Sequence, residues 1–454
     1  MENLKKKYGL FTAICMVVGI VIGSGIFFKA EDVLADANGN ALHSILAWLI
    51  SGFIMVIIAT TFAVLATKYE KINGAVDYAE AICGNNYSYY VGWFMSLIYY
   101  PAMTAVLSWV SARYTLVVMF GNDDKAFSTE CITVALFYLV LSFFINTIAP
   151  RIAGKFQISS TLIKLVPIAF IAIVGTIIGL VNGTLGSNFT ATEILGNDDG
   201  GLFAAICSTV FAYEGWIVAT SINSEMKDSK KNLPIALCVG SLIIVAAYTL
   251  YNLGILGLAG VEDVTKNGTT VAFKSLFGGA LTPIINILIV ISCLGTLNGL
   301  MLGGVRGIYS LAVRGQGFAH ETFAQVDKKT SIPHNSAIFS LLMCGFWFVY
   351  FVAFSAGVFD LGVASQYAFD CSELPIITLY ALYVPILITM MIKEKELNPF
   401  KRFVLPILSL VGIGVIISAC IIKHKMGNVW YLIVFALFMI VGWAVQKYNK
   451  KSTK

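Results

Sequence analysis

Two short interruptions hold the chemistry of this 454-residue chain. Gly23-Ser24-Gly25 breaks the apolar run Met16–Phe28, and Glu214-Gly215 breaks a second run, Cys207–Ile217. Three small residues in a row leave backbone N–H groups without helical partners. Those groups are costly in lipid unless they face a cavity. A helix restarting after Gly25 turns its free N–H groups and positive dipole end toward an anion. The first half of the second run ends near Phe211–Glu214, with open carbonyls and a negative dipole end. Donors facing acceptors suit a zwitterion, with its carboxylate on the first break (Gly23, Ser24, Gly25) and its ammonium on the second. This describes a site for an α-amino acid built from backbone alone. A plain packing role also stays open, because Gly19 and Gly23 form a GxxxG that lets helices approach closely.

Two ionisable residues lie beside the breaks. Glu214 is about 13 residues into its span, and Lys164 about 12 residues past Ile152, roughly 18 Å deep at 1.5 Å per residue. Each costs about 2.5–3.5 kcal/mol at a helix centre on the insertion scale, which makes both Lys164 and Glu214 candidates for coupling. Lys164 has two compatible readings. It is either a structural cation tying unwound carbonyls of span one to span eight, or a proton-linked coupling residue; in both it replaces a sodium ion. Phe211 and Trp216 flank the second break as lid or pocket wall. Tyr248 and Tyr251 either reach the site with a hydroxyl or pack.

The elements that position these residues follow from composition. The AVILMFWYC set makes up 58%, charged residues 12%, and mean hydropathy is +0.83. Soluble domains are about 25% charged. A soluble enzyme, a nucleic-acid binder and a disordered scaffold are excluded; the chain is an all-α polytopic membrane protein. At about 20 apolar residues per crossing, the runs predict about twelve spans. They start near Leu10, Ala41, Tyr89, Thr129, Ile152, Gly201, Ile235, Thr270, His334, Tyr367, Arg402 and Val429. The run Thr270–Ala312 is too long for one crossing, so a re-entrant or surface helix precedes a span from about Leu281. The breaks lie five spans apart, at matching positions of two five-span halves, which points to an inverted-repeat transporter site. One membrane unit is expected, with repeat one over about 10–181, repeat two over about 201–391 and extra helices over about 402–446.

Loop charge sets the orientation. Alternate loops including the amino terminus hold 21 Lys and Arg, and the opposite loops hold 6; Arg113, Lys164 and Arg306 lie within spans or at their ends. The positive-inside rule places both termini in the cytoplasm of a multi-pass cell-membrane protein. The opposite loops are acidic (Glu31, Asp32, Asp36, Asp123, Asp124, Glu193, Asp198, Asp199), and the sequons at Asn182, Asn188 and Asn267 are read as chance. Arg113 is read as a headgroup contact. The nine cysteines form no CxxC and read as packing residues, and the four histidines show no ligand spacing. No metal or cofactor is expected. The basic amino terminus reads as the lead-in to a retained first span.

Gly19-Ile-Val-Ile-Gly-Ser-Gly-Ile-Phe27 resembles the first-span signature of the amino acid–polyamine–organocation (APC) superfamily. Phe211-Ala-Tyr-Glu-Gly-Trp216, followed by Ser224-Glu-Met-Lys-Asp-Ser-Lys-Lys-Asn-Leu-Pro234, is similar to its L-type amino acid transporter branch. Gly92-Trp93, Lys164-Leu-Val-Pro167, Tyr248–Asn252, Arg306-Gly-Ile-Tyr309 and Pro333 add to the match, which covers roughly 10–335. The resemblance implies a LeuT-like five-plus-five inverted repeat with two extra carboxy-terminal helices, helices 1 and 6 broken at mid-membrane, working by alternating access. It also implies that Gly23, Ser24 and Gly25 bind substrate carboxylate and that carbonyls of Val21, Phe211, Ala212 and Glu214 take the ammonium. Phe211 would be the gate, and Lys164 with Tyr248 the coupling pair. The chain departs from the pattern at Glu214, where relatives often carry a small residue or Asp. It departs again at Ile72-Asn-Gly-Ala-Val-Asp-Tyr78, which lacks the usual Pro and paired Gly, and at Arg314-Gly-Gln-Gly, which replaces Arg-Asp-Gly.

The expected function is secondary transport of L-amino acids, by sodium-independent exchange or proton-linked uptake. The alternative is a cationic amino acid or polyamine carrier that uses Glu214 as the cation-binding carboxylate. A lipid-modifying enzyme is set aside for want of HxxxxD, HExxH or DDxxD, and a sensor for want of a soluble effector segment. The expected partners are an amino acid and the lipid bilayer. No heavy subunit is expected, since no loop cysteine is suitably placed, and the chain is expected to be a monomer or weak homo-oligomer.

Overall fold

The computed structural model describes residues 9–69, 74–121, 124–190, 200–220, 226–327, 330, 332–355 and 362–452. Lys5–Lys7, Lys71, Ile72, Asn73, Asp123, Glu193, Asp198, Asp199, Ser224, Glu225, Lys328, Lys329 and Lys454, used above for charge and motif, lie outside these residues. The described chain is helical and holds no strand. By length and composition, ten of its helices can cross a membrane; two shorter apolar helices, Leu10–Gly19 and Leu202–Tyr213, begin the two interrupted runs.

Most starts match the apolar runs, and the exceptions have local causes. Span three begins at Asn85 instead of Tyr89, after a separate helix, Ala75–Cys83; Gly74 (φ 56°) and Gly84 (φ 92°) make the turns on either side. Span seven begins at Ser229, because the polar stretch before Ile235 already coils. Span ten begins at Leu374 instead of Tyr367. The Asp370 carboxylate accepts from the amides of Ser372 and Glu373, at 2.6 and 2.8 Å, and organises the turn before it. The long run Thr270–Ala312 bends at Gly278 (φ 65°, ψ 179°), which separates a short first helix from the span, as its length requires. Asn40 caps span two through His43 N–H (3.0 Å), and Ser128 caps span four through Cys131 N–H (3.3 Å).

The spans pack in matched pairs. Span two lies against span seven, span three against span eight, and the first half of span six against the second half of span one. The pairing of spans three and four recurs as eight and nine, that of four and eight as nine and three, and that of one and seven as six and two. Spans five and seven meet on glycine: a Cβ at Gly179 would overlap Gly257 Cα. Close approach of small residues supplies helix association in lipid, where apolar burial between helices gains little.

Two ends of the bundle can be told apart by charge. At the basic end, Lys68 closes span two onto Glu394, which also accepts from Tyr69 Oη at 2.7 Å. There Arg314 also pairs with Asp77 at 2.5 Å. The acidic end carries Glu31, Asp32 and Asp36.

Candidate functional site

Span one is two helices, Leu10–Val21 and Gly25–Asp36. Ile22 turns extended (φ −65°, ψ 106°), and its N–H still reaches Val18 O at 2.9 Å. The chain coils again from Ser24, whose carbonyl accepts from Phe27 and Phe28 at 3.0 and 2.9 Å. The amides of Gly25 and Ile26, like the first N–H groups of any helix, have no intrahelical acceptor. Ser24 Oγ is buried and has no hydrogen-bond partner among the described residues.

Span six is Leu202–Tyr213, then Glu214 extended (φ −78°, ψ 157°), Gly215 at φ 107°, and a resumed turn, Trp216–Ala219. Only glycine tolerates that φ without strain. The two breaks touch. A Cβ on Gly25 would stand 2.6 Å from Ala212 Cα, and one on Gly23 would overlap the Thr296 hydroxyl of span eight.

Two side chains repair the opened backbone. In an unbroken helix Gly19 O would accept from Gly23 N–H; here the Lys164 ammonium, buried in span five, donates to it. The Tyr248 hydroxyl lies 3.1 Å from Val21 O and 3.1 Å from Ala212 O, one carbonyl from each break. The resemblance puts Val21 and Ala212 on a substrate ammonium. The structure gives both carbonyls this hydroxyl, and each keeps a second lone pair.

A cavity of about 390 Å³ opens against the breaks, lined by Val21, Gly23, Ser24, Gly25, Phe211, Ala212 and Glu214. It continues past Tyr99 and Thr296 to Gly74, Arg306 and Ser310 at the basic end. Glu214 Oε1 accepts from Tyr99 Oη at 2.8 Å, while Oε2 is buried and unpartnered among the described residues.

Toward the acidic end an aromatic septum closes the cavity. Phe211 meets Phe28 edge to face at 5.7 Å, and Phe28 meets Trp109 at 5.8 Å. Beyond it lies a second cavity of about 680 Å³, lined by Lys29, Glu31, Asp32 and Arg113. Beside the septum the Glu373 carboxylate, fully buried, receives Lys29 at 2.7 Å and both Lys423 and His424 at 3.0 Å. Lys423 also holds Asp36 at 3.0 Å. This ion cluster joins spans one, ten and eleven.

The sequence-predicted residues are therefore mostly brought together, with four exceptions. Trp216 does not wall the cavity: it is buried behind it, edge to face with Phe62 and donating to Tyr380 Oη at 3.3 Å. The resumed helix after Gly215 turns it away. Tyr248 bridges the breaks and does not line the pocket, and Tyr251 packs on Phe27 at 5.7 Å. Arg113 binds Glu31 at 2.6 Å, so its partner is an acid of span one and not a headgroup. The sequence reading missed Tyr99 and the Glu373 cluster. A lone acid at the start of an apolar span and the Lys423-His424 pair at the end of another were the available signals.

Residues 8–445 match the amino acid permease family. The chain is similar to the serine/threonine exchanger SteT of Bacillus subtilis, at 28% identity over 94% of this chain and 93% of that one. It is also similar to the human large neutral amino acids transporter small subunit 2, at 29% over 73% of this chain and 62% of that one. The human cystine/glutamate transporter matches at 26% over 73% and 66%. The broken helices and the whole-length match agree: this chain belongs to the amino acid permease family, in the L-type branch of the APC superfamily.

Proposed function

We propose that this chain exchanges L-α-amino acids across the cell membrane by alternating access, without sodium. One observation carries the reading: a helix N-terminus with the unpaired Ser24 hydroxyl faces the carbonyl end of span six across a cavity of about 390 Å³. The carboxylate sits on Gly23, Ser24 and Gly25. The ammonium takes the carbonyls of Phe211 and Glu214 and the spare lone pairs of Val21 and Ala212. Lys164 donates to Gly19 O, a carbonyl that a sodium ion would otherwise have to satisfy. The exchange activity named for a relative similar along its whole length supports this reading.

The positive-inside rule assigns the basic end, with both termini, to the cytoplasm. The cavity is then open inward and sealed outward by Phe28, Phe211 and Trp109. The matched span pairs support the repeats over about 10–181 and 201–391, with the last two helices outside them. The Glu214 carboxylate on the cavity wall favours a second reading, in which the site also admits cationic amino acids; a polyamine lacks the carboxylate for the first break.

The test is purified protein in liposomes preloaded with one amino acid, challenged with a labelled external panel with and without sodium. Uptake that depends on internal amino acid, ignores sodium and is abolished by Ser24→Val is expected. Uptake unchanged by Ser24→Val overturns the site. Glu214→Gln reports on the second reading through loss of cationic uptake.

A further inference from the structure

Among the described residues one group of metal-ligating side chains comes together: Cys207 of span six, Glu373 at the start of span ten and His424 at the end of span eleven. We infer that these three form a transition-metal site, of the zinc class, that clamps the acidic-end gate.

The geometry is close to that of bound metal. Zinc takes thiolate at about 2.3 Å and imidazole or carboxylate at about 2.0–2.2 Å, so tetrahedral ligand atoms stand roughly 3.3–3.6 Å apart. Here Cys207 Sγ is 3.3 Å and His424 Nε2 is 3.0 Å from the same oxygen, Glu373 Oε2. All three ligand atoms lie within 4.8 Å of one another, so small side-chain shifts bring them to coordinating distance. The donor set of thiol, imidazole and carboxylate selects borderline-soft divalent ions over magnesium or calcium. Cys420 lies one turn before His424 on the same helix, but its thiol donates to Asn428 Oδ1 at 3.0 Å and stays outside the ligand group, so water completes the coordination. On binding, the Cys207 thiol and the His424 Nε2–H that points at Glu373 each release a proton to solvent, and the freed imidazole lone pair and the thiolate take the metal.

The carboxylate need not give up its ammonium partners. Lys29 contacts only Oε1, and Lys423 reaches both oxygens, so Oε1 keeps the lysines while Oε2 turns to the metal. Asp36, on Lys423, offsets part of the added charge. Such carboxylate bridging to an outer group is a common way to orient a metal ligand. Asp370, Ser372 and Lys29, neighbours of Glu373, line the 680 Å³ cavity, which is the nearest solvent space to the three ligands.

Span one's second half is latched to this same carboxylate through Lys29. Metal bound here joins spans six, ten and eleven behind that latch and holds the aromatic septum closed. That consequence for transport rests on the function proposed above; the binding itself does not.

The test uses the full-length protein in detergent, titrated with cadmium and followed by thiolate-to-metal absorption, then with zinc by calorimetry. One equivalent is expected. Cys207→Ser removes the absorption band, and His424→Gln weakens binding at least tenfold, with melting temperatures near the wild-type value. Cys207→Ala replaces Cys207→Ser if the latter misfolds. Zinc added to exchanging liposomes slows exchange in the wild type, and Cys207→Ser escapes the block. Absent binding, or binding unchanged in the Cys207 and His424 variants, overturns the site. Binding without exchange in any protein would instead refute the transport reading and leave the site standing.

Discussion

Gly25→Ala tests the contact on which the site depends. The new Cβ would lie 2.6 Å from Ala212 Cα and 3.1 Å from Ala212 Cβ, inside the ordinary 3.4–4 Å contact range. The nearest obstacle is backbone, so no flexible side chain can swing away; the two breaks must part by about 1 Å. Overpacking of this kind costs about 1–3 kcal/mol. If the strain falls on the opposed helix ends, affinity drops roughly 5- to 150-fold, since 1.4 kcal/mol is a factor of ten. The assay is the apparent KM for exchange in preloaded liposomes, beside the melting temperature. Gly179→Ala is the control: its Cβ meets Gly257 in the packing of spans five and seven, away from the cavity. It should lower the melting temperature and leave KM unchanged. Wild-type KM in Gly25→Ala, or an equal KM rise in both variants, would refute the reasoning.

Three further outcomes are expected. Tyr248→Phe removes the donor shared by Val21 O and Ala212 O; losing it costs about 1–3 kcal/mol, read as a lower melting temperature with slower exchange. Lys164→Ala leaves Gly19 O without its donor and should slow turnover or make it depend on sodium; wild-type, sodium-independent kinetics would remove Lys164 from the mechanism. Burial pushes the Glu394 carboxyl up, but hydrogen bonds from Lys68 and Tyr69 and the Lys68 charge hold it below its ordinary value of 4.5. A depressed carboxyl stabilises the fold above its unfolded pKa and loses that contribution as pH falls through the folded one. The melting temperature should therefore fall as acid is added below about pH 4.5, and more shallowly in Glu394→Gln; parallel curves would refute the link.

Both breaks were legible because Gly23-Ser24-Gly25 and Glu214-Gly215 interrupt apolar runs, and lipid punishes an unpaired amide wherever it lies. The bend at Gly278 was legible from length alone, since 43 helical residues cannot make one crossing. Trp216 was misplaced, since its position beside a break says nothing about which way the chain leaves Gly215. Arg113 and Glu31, 82 residues apart, were each read alone, and their pairing depends on how spans one and three lie. The Cys207, Glu373 and His424 donors come from three spans far apart in the chain, where no spacing rule applies.

From its residues alone the chain is a membrane bundle with two opened helices, because hydrocarbon imposes span length and backbone satisfaction on any order of apolar residues. Tertiary packing decided what closes those openings: which carbonyls Lys164 and Tyr248 satisfy, which end the aromatic septum seals, and which ions meet at Glu373. Those contacts join residues from 36 positions apart, where Tyr248 meets Ala212, to 344 apart, where Lys29 meets Glu373. Only the crossing of the spans brings such groups within ångströms of each other, and hydrogen bonds and ion pairs act over no more than that.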